Sequence, residues 1–242
     1  MAERMAAQHE AANLPTFRPI AWPESLRLVK TGDVGLYRPK PFNVKTLLER
    51  PRSVESWEIV RLTRKRYSHA NMFGWKFGHA GALPRLMIGE TVGHLNAHLI
   101  DAAGEVEAFA GCYDVFRVRP DCWYGGDPIT SAEKAWDFMC HAAGSGYSWT
   151  YIWRCWVRCR LPKWLQWVCP PIRNSDRAES PRDCSGLVHA ALRFAGGPQL
   201  SPHDCDVVPG DLADPRYLDY VATLFANEQQ VKNFLFHQER LQ

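Results

Sequence analysis

The spacing of apolar residues changes partway along the chain. In the first half they come in short runs, such as 85–92 and 113–118, with the length and alternation typical of β-strands. From Ile129 onward they recur at helical spacing, first in 130–139, which opens with residues that favour helix N-termini. This order predicts an α+β fold in which the strands come first and later helices pack on them.

Length and composition fit one folded domain with an N-terminal extension. At roughly 150 residues per domain, 242 residues allow one domain or two, and the uninterrupted pattern favours one. Residues 1–25 are polar and alanine-rich, and we expect an arm there, followed by a single domain over 26–242. Within it, 26–38 predicts two strands around a Gly32 turn, and 105–109 predicts another strand.

Charge and hydropathy exclude several classes of protein. The net charge of +3, from 29 basic and 26 acidic residues, is too balanced for a nucleic-acid-binding protein. No window of about 18 residues lacks charge, so we expect no membrane span. Residues 1–15 contain two acidic residues and no apolar core, unlike a secretory signal, and we therefore expect a cytoplasmic protein.

The eight cysteines do not form a metal-binding pattern. Only Cys155 and Cys159 are closely spaced, and no second pair of cysteines or histidines completes a zinc site. A chain without a secretory signal usually keeps its thiols reduced. No glycine-rich phosphate loop is present. The sequence thus predicts neither a metal nor a cofactor.

One cysteine has the sequence context of a nucleophile. Cys184 stands at the first turn of a predicted helix that runs to Phe194, where the helix dipole favours the thiolate. A cysteine nucleophile also needs a base, and His69, at the start of an apolar strand, is the candidate. The alternative is that Cys184 is an ordinary buried thiol, since free cysteine is among the most buried residue types.

Several segments resemble a known enzyme family. Residues 183–188, Asp-Cys-Ser-Gly-Leu-Val, resemble the nucleophile motif of the NlpC-like papain-fold cysteine peptidases. The histidine motif at 66–70 precedes the cysteine, which resembles the circularly permuted YiiX/YaeF-like branch, related to lecithin:retinol acyltransferases. Further segments that resemble the family in order are 30–36, 57–62, 114–118, 146–149 and 208–212.

The resemblance implies a permuted papain-like fold, with an antiparallel β-barrel or sheet that carries His69 packed on a helix that carries Cys184. Cys184 would attack a carbonyl carbon, and His69 would act as base and then as acid. Glu90 occupies the place of the third catalytic residue, unless it is a solvated strand residue. His79 and His94 are the alternatives, because acyltransferase relatives use a second histidine; the remaining histidines, His98 among them, show no ligand pattern.

The resemblance also implies a substrate. Three residues match positions that line the substrate cleft in the family and would contact the substrate: Asp183, Ser185 and Tyr147. Tyr147 is equally consistent with a core aromatic. The activity implied is hydrolysis of an amide, foremost in peptidoglycan stem peptides. A protein without a signal would reach these through lysis or as part of a virion, or it would act on an intracellular amide instead. A thiol acyltransferase or lipid-directed hydrolase, and a non-catalytic binding or structural protein of a virus or mobile element, are the alternatives.

The segment from Trp149 to Trp167 is rich in tryptophan and basic residues. Aromatic residues at helical spacing are usually buried, so packing in the core is the first interpretation. The same composition suits a membrane surface, where tryptophan and arginine are favoured. A third interpretation is that the segment lines a cleft for a bulky substrate.

Overall fold

Seven strands form one open, mixed β-sheet in the computed structural model. The structure describes residues 18–22, 24–39, 59–61, 63, 65–77, 83–92, 96–108, 112–148, 150, 153–154, 157–158 and 161–232. The strands are β1 (Pro19–Ala21), β2 (Val34–Arg38), β3 (His69–Lys76), β4 (Arg85–Glu90), β5 (His98–Asp101), β6 (Cys112–Val118) and β7 (Leu218–Phe225). Their order in the sheet is β1-β7-β6-β2-β3-β4-β5. Every neighbouring pair is antiparallel except β1 and β7, which are parallel.

Three α-helices have both ends among the described residues: α1 (Ala102–Ala108), α2 (Pro128–Ala142) and α3 (Cys184–Phe194). The helices α2 and α3 begin at aspartate caps. Asp127 accepts a hydrogen bond from the backbone N–H of Thr130 at the start of α2, and Asp183 caps α3 in the same way. Such caps satisfy N–H groups that have no partner within the helix, and they fix where each helix begins.

The hydrophobic core has two parts. The larger one contains Met72 of β3 together with Phe138 of α2 and Leu187 of α3. The smaller one contains Phe73 of β3 and Val106 of α1. Because successive side chains of a strand point to opposite faces, the sheet is covered on both sides, and α3 is held against it by apolar packing.

One glycine lets α2 approach the sheet closely. A Cβ atom added at Gly74 of β3 would lie 2.0 Å from the ring of Trp136 on α2. Any side chain at this position would therefore force the helix and the strand apart.

Much of the predicted secondary structure is confirmed. Strands are present within 85–92 and over 113–118, and helices cover 130–139 and the segment from Cys184 to Phe194. The predicted α+β class with helices packed on a sheet is likewise confirmed.

Three predictions about the strands are wrong, and the prediction of an antiparallel barrel or sheet is correct only in part. Residues 105–108 belong to α1, because burial of Ala102 and Val106 follows a four-residue helical spacing. Within 26–38 only β2 is a strand, and 26–27 lie in the 3-10 helix Glu24–Arg27. The last strand, β7, follows the helices, so the strands do not all come first.

The sheet is open and contains one parallel pair, so it is neither a barrel nor wholly antiparallel. In addition, β1 lies within the segment assigned to an arm.

Candidate active site

His69 and Glu90 form the central contact of the site. His69 is the first residue of β3 and Glu90 the last of β4, and antiparallel pairing brings these two strand ends together. Nε2 of His69 lies 2.7 Å from Oε2 of Glu90. The Glu90 side chain is only 2% exposed and that of His69 15%, so the contact is screened little by water.

The pKa values of the two side chains show how strongly they interact. Burial alone would lower the pKa of His69, but the nearby Cys184 and Glu90 outweigh it and raise that pKa well above the usual value. Burial alone would raise the pKa of Glu90, but His69 and His98 outweigh it and lower that pKa to about 2. At neutral pH Glu90 is therefore a carboxylate, and Nε2–H of His69 donates to it.

Cys184 is the third member of the group. It is the first residue of α3, is buried, and lies close enough to His69 to raise the pKa of the imidazole. Since Nε2 of His69 is engaged by Glu90, Nδ1 is the ring nitrogen left for the thiol. The site thus joins a thiol, an imidazole and a carboxylate in that order, from α3, β3 and β4.

His98 is a further member that the sequence did not indicate. It pairs directly with Glu90 across β4 and β5, and its Nε2 lies 3.4 Å from Oε1 of Glu90. Its Nδ1 lies 2.8 Å from the carbonyl oxygen of Asn96. Both neighbours are acceptors, so only the protonated ring can donate to each. The hydrogen bond to Glu90 is the main cause that raises the pKa of His98.

The two alternatives for the third catalytic residue, His79 and His94, lie outside the described residues. The signal that could have identified His98 is strand pairing, because a hairpin over 85–101 sets residue 98 opposite residue 90. Several neighbouring registers fit the same apolar pattern, however, and only one of them makes this pair.

Asp183 and Ser185 are held by protein groups. Oδ1 of Asp183 accepts a hydrogen bond of 2.8 Å from the N–H of Gly186, and burial raises the pKa of Asp183 to about 7. The hydroxyl of Ser185 donates to the carbonyl of Val207 at 2.7 Å. Both side chains are buried, and they position the first turn of α3. Substrate contact by either of them stays a prediction.

Tyr147 lies beside the loop that leads to the cysteine. It forms an isolated β-bridge with Arg182, and the next N–H along the chain, that of Ser148, donates to the Arg182 carbonyl at 3.2 Å. The buried Arg182 side chain donates to carbonyls of its own loop, including those of Ala178 and Ser180. Tyr147 is half-buried, so it is not a fully buried core aromatic, and substrate contact by it stays a prediction.

A second buried histidine belongs to the scaffold. Nδ1 of His189 in α3 lies 2.9 Å from Oδ1 of Asp204, and its Nε2 accepts a hydrogen bond from the N–H of Leu200. The ring is thus neutral with its proton on Nδ1, and both nitrogens have partners. These two contacts connect α3 to the segment of the chain that follows the helix.

The described residues contain no group of three or more histidine, cysteine, aspartate or glutamate side chains able to hold a metal ion. Six of the cysteines, Cys184 among them, are free thiols. Within the same part of the chain, no helix has both the length and the apolar content to cross a membrane. No protein-family model matches the sequence, and no curated protein matches it significantly.

Proposed function

We propose that this protein is a cysteine hydrolase that cleaves an amide bond. The observation that carries the proposal is the position of His69 between Cys184 and Glu90. A thiol next to an imidazole that is itself oriented by a carboxylate is the arrangement that activates cysteine nucleophiles. Cys184 is the nucleophile, His69 the acid and base, and Glu90 the residue that orients His69.

The reaction proceeds in two halves. In the first, the thiolate of Cys184 attacks the amide carbonyl carbon, Nδ1–H of His69 protonates the leaving nitrogen, and the C–N bond breaks to leave a thioester. In the second, Nδ1 of His69 takes a proton from water as the oxygen attacks the thioester. The C–S bond then breaks, the carboxylic acid leaves, and the thiolate of Cys184 is restored beside the protonated His69.

The start of α3 offers groups that would stabilise the oxyanion. The N–H groups of Gly186 and Leu187 already bond to the side chain and carbonyl of Asp183. The N–H groups of Cys184 and Ser185 precede them in the first turn, where helix N–H groups have no partner within the helix. A negatively charged oxygen beside Cys184 would accept from these two groups and would benefit from the helix dipole.

The fold and the substrate class of the proposal rest on the resemblance to the permuted NlpC-like family. His69 on a strand that precedes a helix bearing Cys184 is the chain order of that branch, and we infer a permuted papain-like core. Peptidoglycan stem peptides are the substrates that the resemblance implies. Asp183, Ser185 and Tyr147 are the residues that would line the substrate cleft.

A thiol acyltransferase or lipid-directed hydrolase is the second candidate. In this reaction Cys184 also attacks a carbonyl carbon and also forms a thioester, but the acyl group comes from a lipid. The observation that favours it is the exposure of Trp164 and Trp167, which are 73% and 77% exposed. Large aromatic side chains of this kind suit a protein that works beside a lipid surface.

The test of the activated pair is the rate at which iodoacetamide alkylates Cys184, followed by peptide mass spectrometry across pH. The half-buried Cys140, whose pKa is raised chiefly by burial, is an internal reference in every sample. We expect Cys184 to react at least about tenfold faster than Cys140 at pH 6, and His69→Ala to abolish this difference. Equal rates in the wild type would overturn the proposal and favour a non-catalytic binding protein.

The substrate is tested separately with the wild type and Cys184→Ala. Each protein is incubated with muropeptides and, separately, with a phospholipid together with a free amine as acyl acceptor. The masses of the products are measured by mass spectrometry. Gain of one water by a muropeptide with the wild type alone supports amide hydrolysis. Transfer or release of a fatty acyl chain supports the second candidate instead.

A further inference from the structure

Four exposed apolar side chains lie in one short 3-10 helix and in the segment before it. Trp164, Trp167 and Val168 belong to the 3-10 helix Lys163–Val168 and are 73%, 77% and 57% exposed. A 3-10 helix has three residues per turn, so the two tryptophans lie one above the other on the same side. Trp153, in the preceding segment, is 59% exposed. We call these four residues the tryptophan surface. Core packing, the first interpretation from the sequence, is therefore wrong for its three tryptophans.

The exposed residues are held by an anchored backbone. Nη1 of Arg154 donates to the carbonyl of Pro170 at 2.9 Å, and Nη1 of Arg158 donates to that of Cys169 at 2.8 Å. Nε of Arg158 also pairs with Oδ1 of Asp206 at 2.7 Å. These contacts join the segment before the 3-10 helix to the segment after it. The exposure of the tryptophans is thus a property of a fixed structure, and burying them requires a partner.

The charged residues in the sequence around the tryptophan surface have a single sign. No aspartate or glutamate occurs between Asp137 and Asp176, and the basic residues in that interval are Arg154, Arg158, Arg160, Lys163 and Arg173. Among the basic side chains of this interval that the structure describes, Arg158 pairs with Asp206 and Arg173 is exposed. The surface therefore combines projecting aromatic side chains with positive charge.

A lipid bilayer matches both properties better than a protein does. Tryptophan prefers the boundary between headgroups and acyl chains, and basic residues are attracted to anionic headgroups. Side chains that project from a surface can enter a bilayer, whereas a protein partner would need a matching pocket.

We propose that the tryptophan surface binds the face of an anionic lipid bilayer. Each tryptophan that enters the interface buries a large apolar area, and the basic residues add electrostatic attraction. Asp206 forms an ion pair with Arg158. The next residue, Val207, accepts a hydrogen bond at its carbonyl from the hydroxyl of Ser185. The bound surface is therefore connected through the protein to the first turn of α3.

The test is sedimentation of the full-length protein with vesicles. One set contains phosphatidylcholine alone, and the other contains phosphatidylcholine and phosphatidylglycerol in roughly a 3 to 1 ratio. We expect binding to the anionic vesicles, weakened by about 0.5 M salt. The variant Trp164→Ala/Trp167→Ala should bind at least about tenfold more weakly, since a buried large apolar side chain contributes about a factor of ten or more. Tyr124→Ala/Ile129→Ala, which removes two exposed apolar side chains elsewhere, should bind like the wild type.

A second variant separates lipid binding from folding. Arg173→Glu reverses one exposed charge and should lower binding to the anionic vesicles several-fold, because each basic residue near the surface adds about 1 kcal/mol. In both variants the alkylation rate of Cys184 at pH 6 should match that of the wild type. No binding to either vesicle overturns the proposal, and so does equal binding by the wild type and the double tryptophan variant. Equal binding to neutral and anionic vesicles overturns its electrostatic part.

Discussion

Oε2 of Glu90 lies 2.7 Å from Nε2 of His69, and the carboxylate is almost wholly buried. This contact fixes the ring so that its other nitrogen is the one available to Cys184. It also favours the charged imidazolium, because a buried carboxylate with a pKa of about 2 stays ionised throughout the neutral range. The contact therefore controls both the orientation and the protonation of the base.

We expect Glu90→Gln to slow alkylation of Cys184 at pH 6 by at least about tenfold. The amide is neutral, and its NH2 group can donate to Nε2 of His69, which would move the ring proton to Nδ1. A ring with its proton on Nδ1 cannot accept the proton of the thiol. Glu133→Gln, on the exposed side of α2, is the matched control. A wild-type rate in Glu90→Gln would refute this role for Glu90.

The titration of His98 should be coupled to that of His69 through Glu90. The groups that face it are Glu90, the Asn96 carbonyl and, at longer range, Glu105. Its raised pKa means that the stabilisation from its contact with Glu90 is complete below about 6.5 and is lost as the pH rises through the folded-state value. We expect NMR titration to place the pKa values of His69 and His98 above 6.5 and Glu90→Gln to lower both.

The variant His98→Gln tests the same point through reactivity. It removes the charge and keeps a hydrogen-bond donor, and we expect it to slow alkylation of Cys184 at pH 6 by about two- to fivefold. The difference from the wild type should shrink as the pH rises through the range where His98 loses its proton. A difference that is constant across pH would indicate a purely structural role.

The cap of α3 should make folding sensitive to pH. Asp183 has a pKa of about 7 in the folded protein against 3.8 as the reference value, so the folded state holds its proton more tightly. Stability contributed by this group is therefore lost as the pH rises from about 4 to about 7. Asp183→Asn keeps the cap without the titration, so the wild type should lose stability relative to it over this range, on the order of a few kcal/mol.

Denaturant unfolding of both proteins at pH 4 and pH 7.5 measures this effect. The matched control is Asp127→Asn at the exposed cap of α2, where the hydrogen bond from Thr130 lowers the pKa of Asp127. Relative to Asp127→Asn, the wild type should gain stability between pH 4 and pH 7.5, which is the opposite sign to the comparison with Asp183→Asn. If the stability difference between the wild type and Asp183→Asn did not change with pH, the buried cap would not be titrating.

The closeness of α2 to β3 leads to a prediction about two glycines. Gly74→Ala would set a methyl group 2.0 Å from Trp136, and overpacking of this kind costs about 1–3 kcal/mol. Gly104→Ala in α1 meets nothing within 4 Å, and it should raise stability by up to about 1 kcal/mol because alanine favours helices. Thermal unfolding of the two variants beside the wild type is the measurement, and a neutral Gly74→Ala would contradict the packing described here.

Local features of the fold and of the site could be predicted from the sequence. The helix from Cys184 was predicted at its observed bounds, since its cap, its apolar spacing and the glycines after it lie within one short segment. The strand that ends at Glu90 was predicted for a similar reason. Short motifs predict Cys184 and His69 as candidate nucleophile and base, and the structure brings these two side chains and Glu90 together.

What the sequence by itself determined is therefore local: that a helix covers 130–139, where α3 begins, which runs form β4 and β6, and which thiol stands at a helix start. Only the tertiary structure decided that His98 faces Glu90, that β7 joins the sheet after the helices, and that Trp164 and Trp167 are exposed. Capping and apolar spacing involve residues that are close in sequence, so both can be predicted from a short segment of the sequence. Strand register and burial depend on residues distant in sequence, and the same apolar pattern is compatible with several such arrangements until the whole chain has packed.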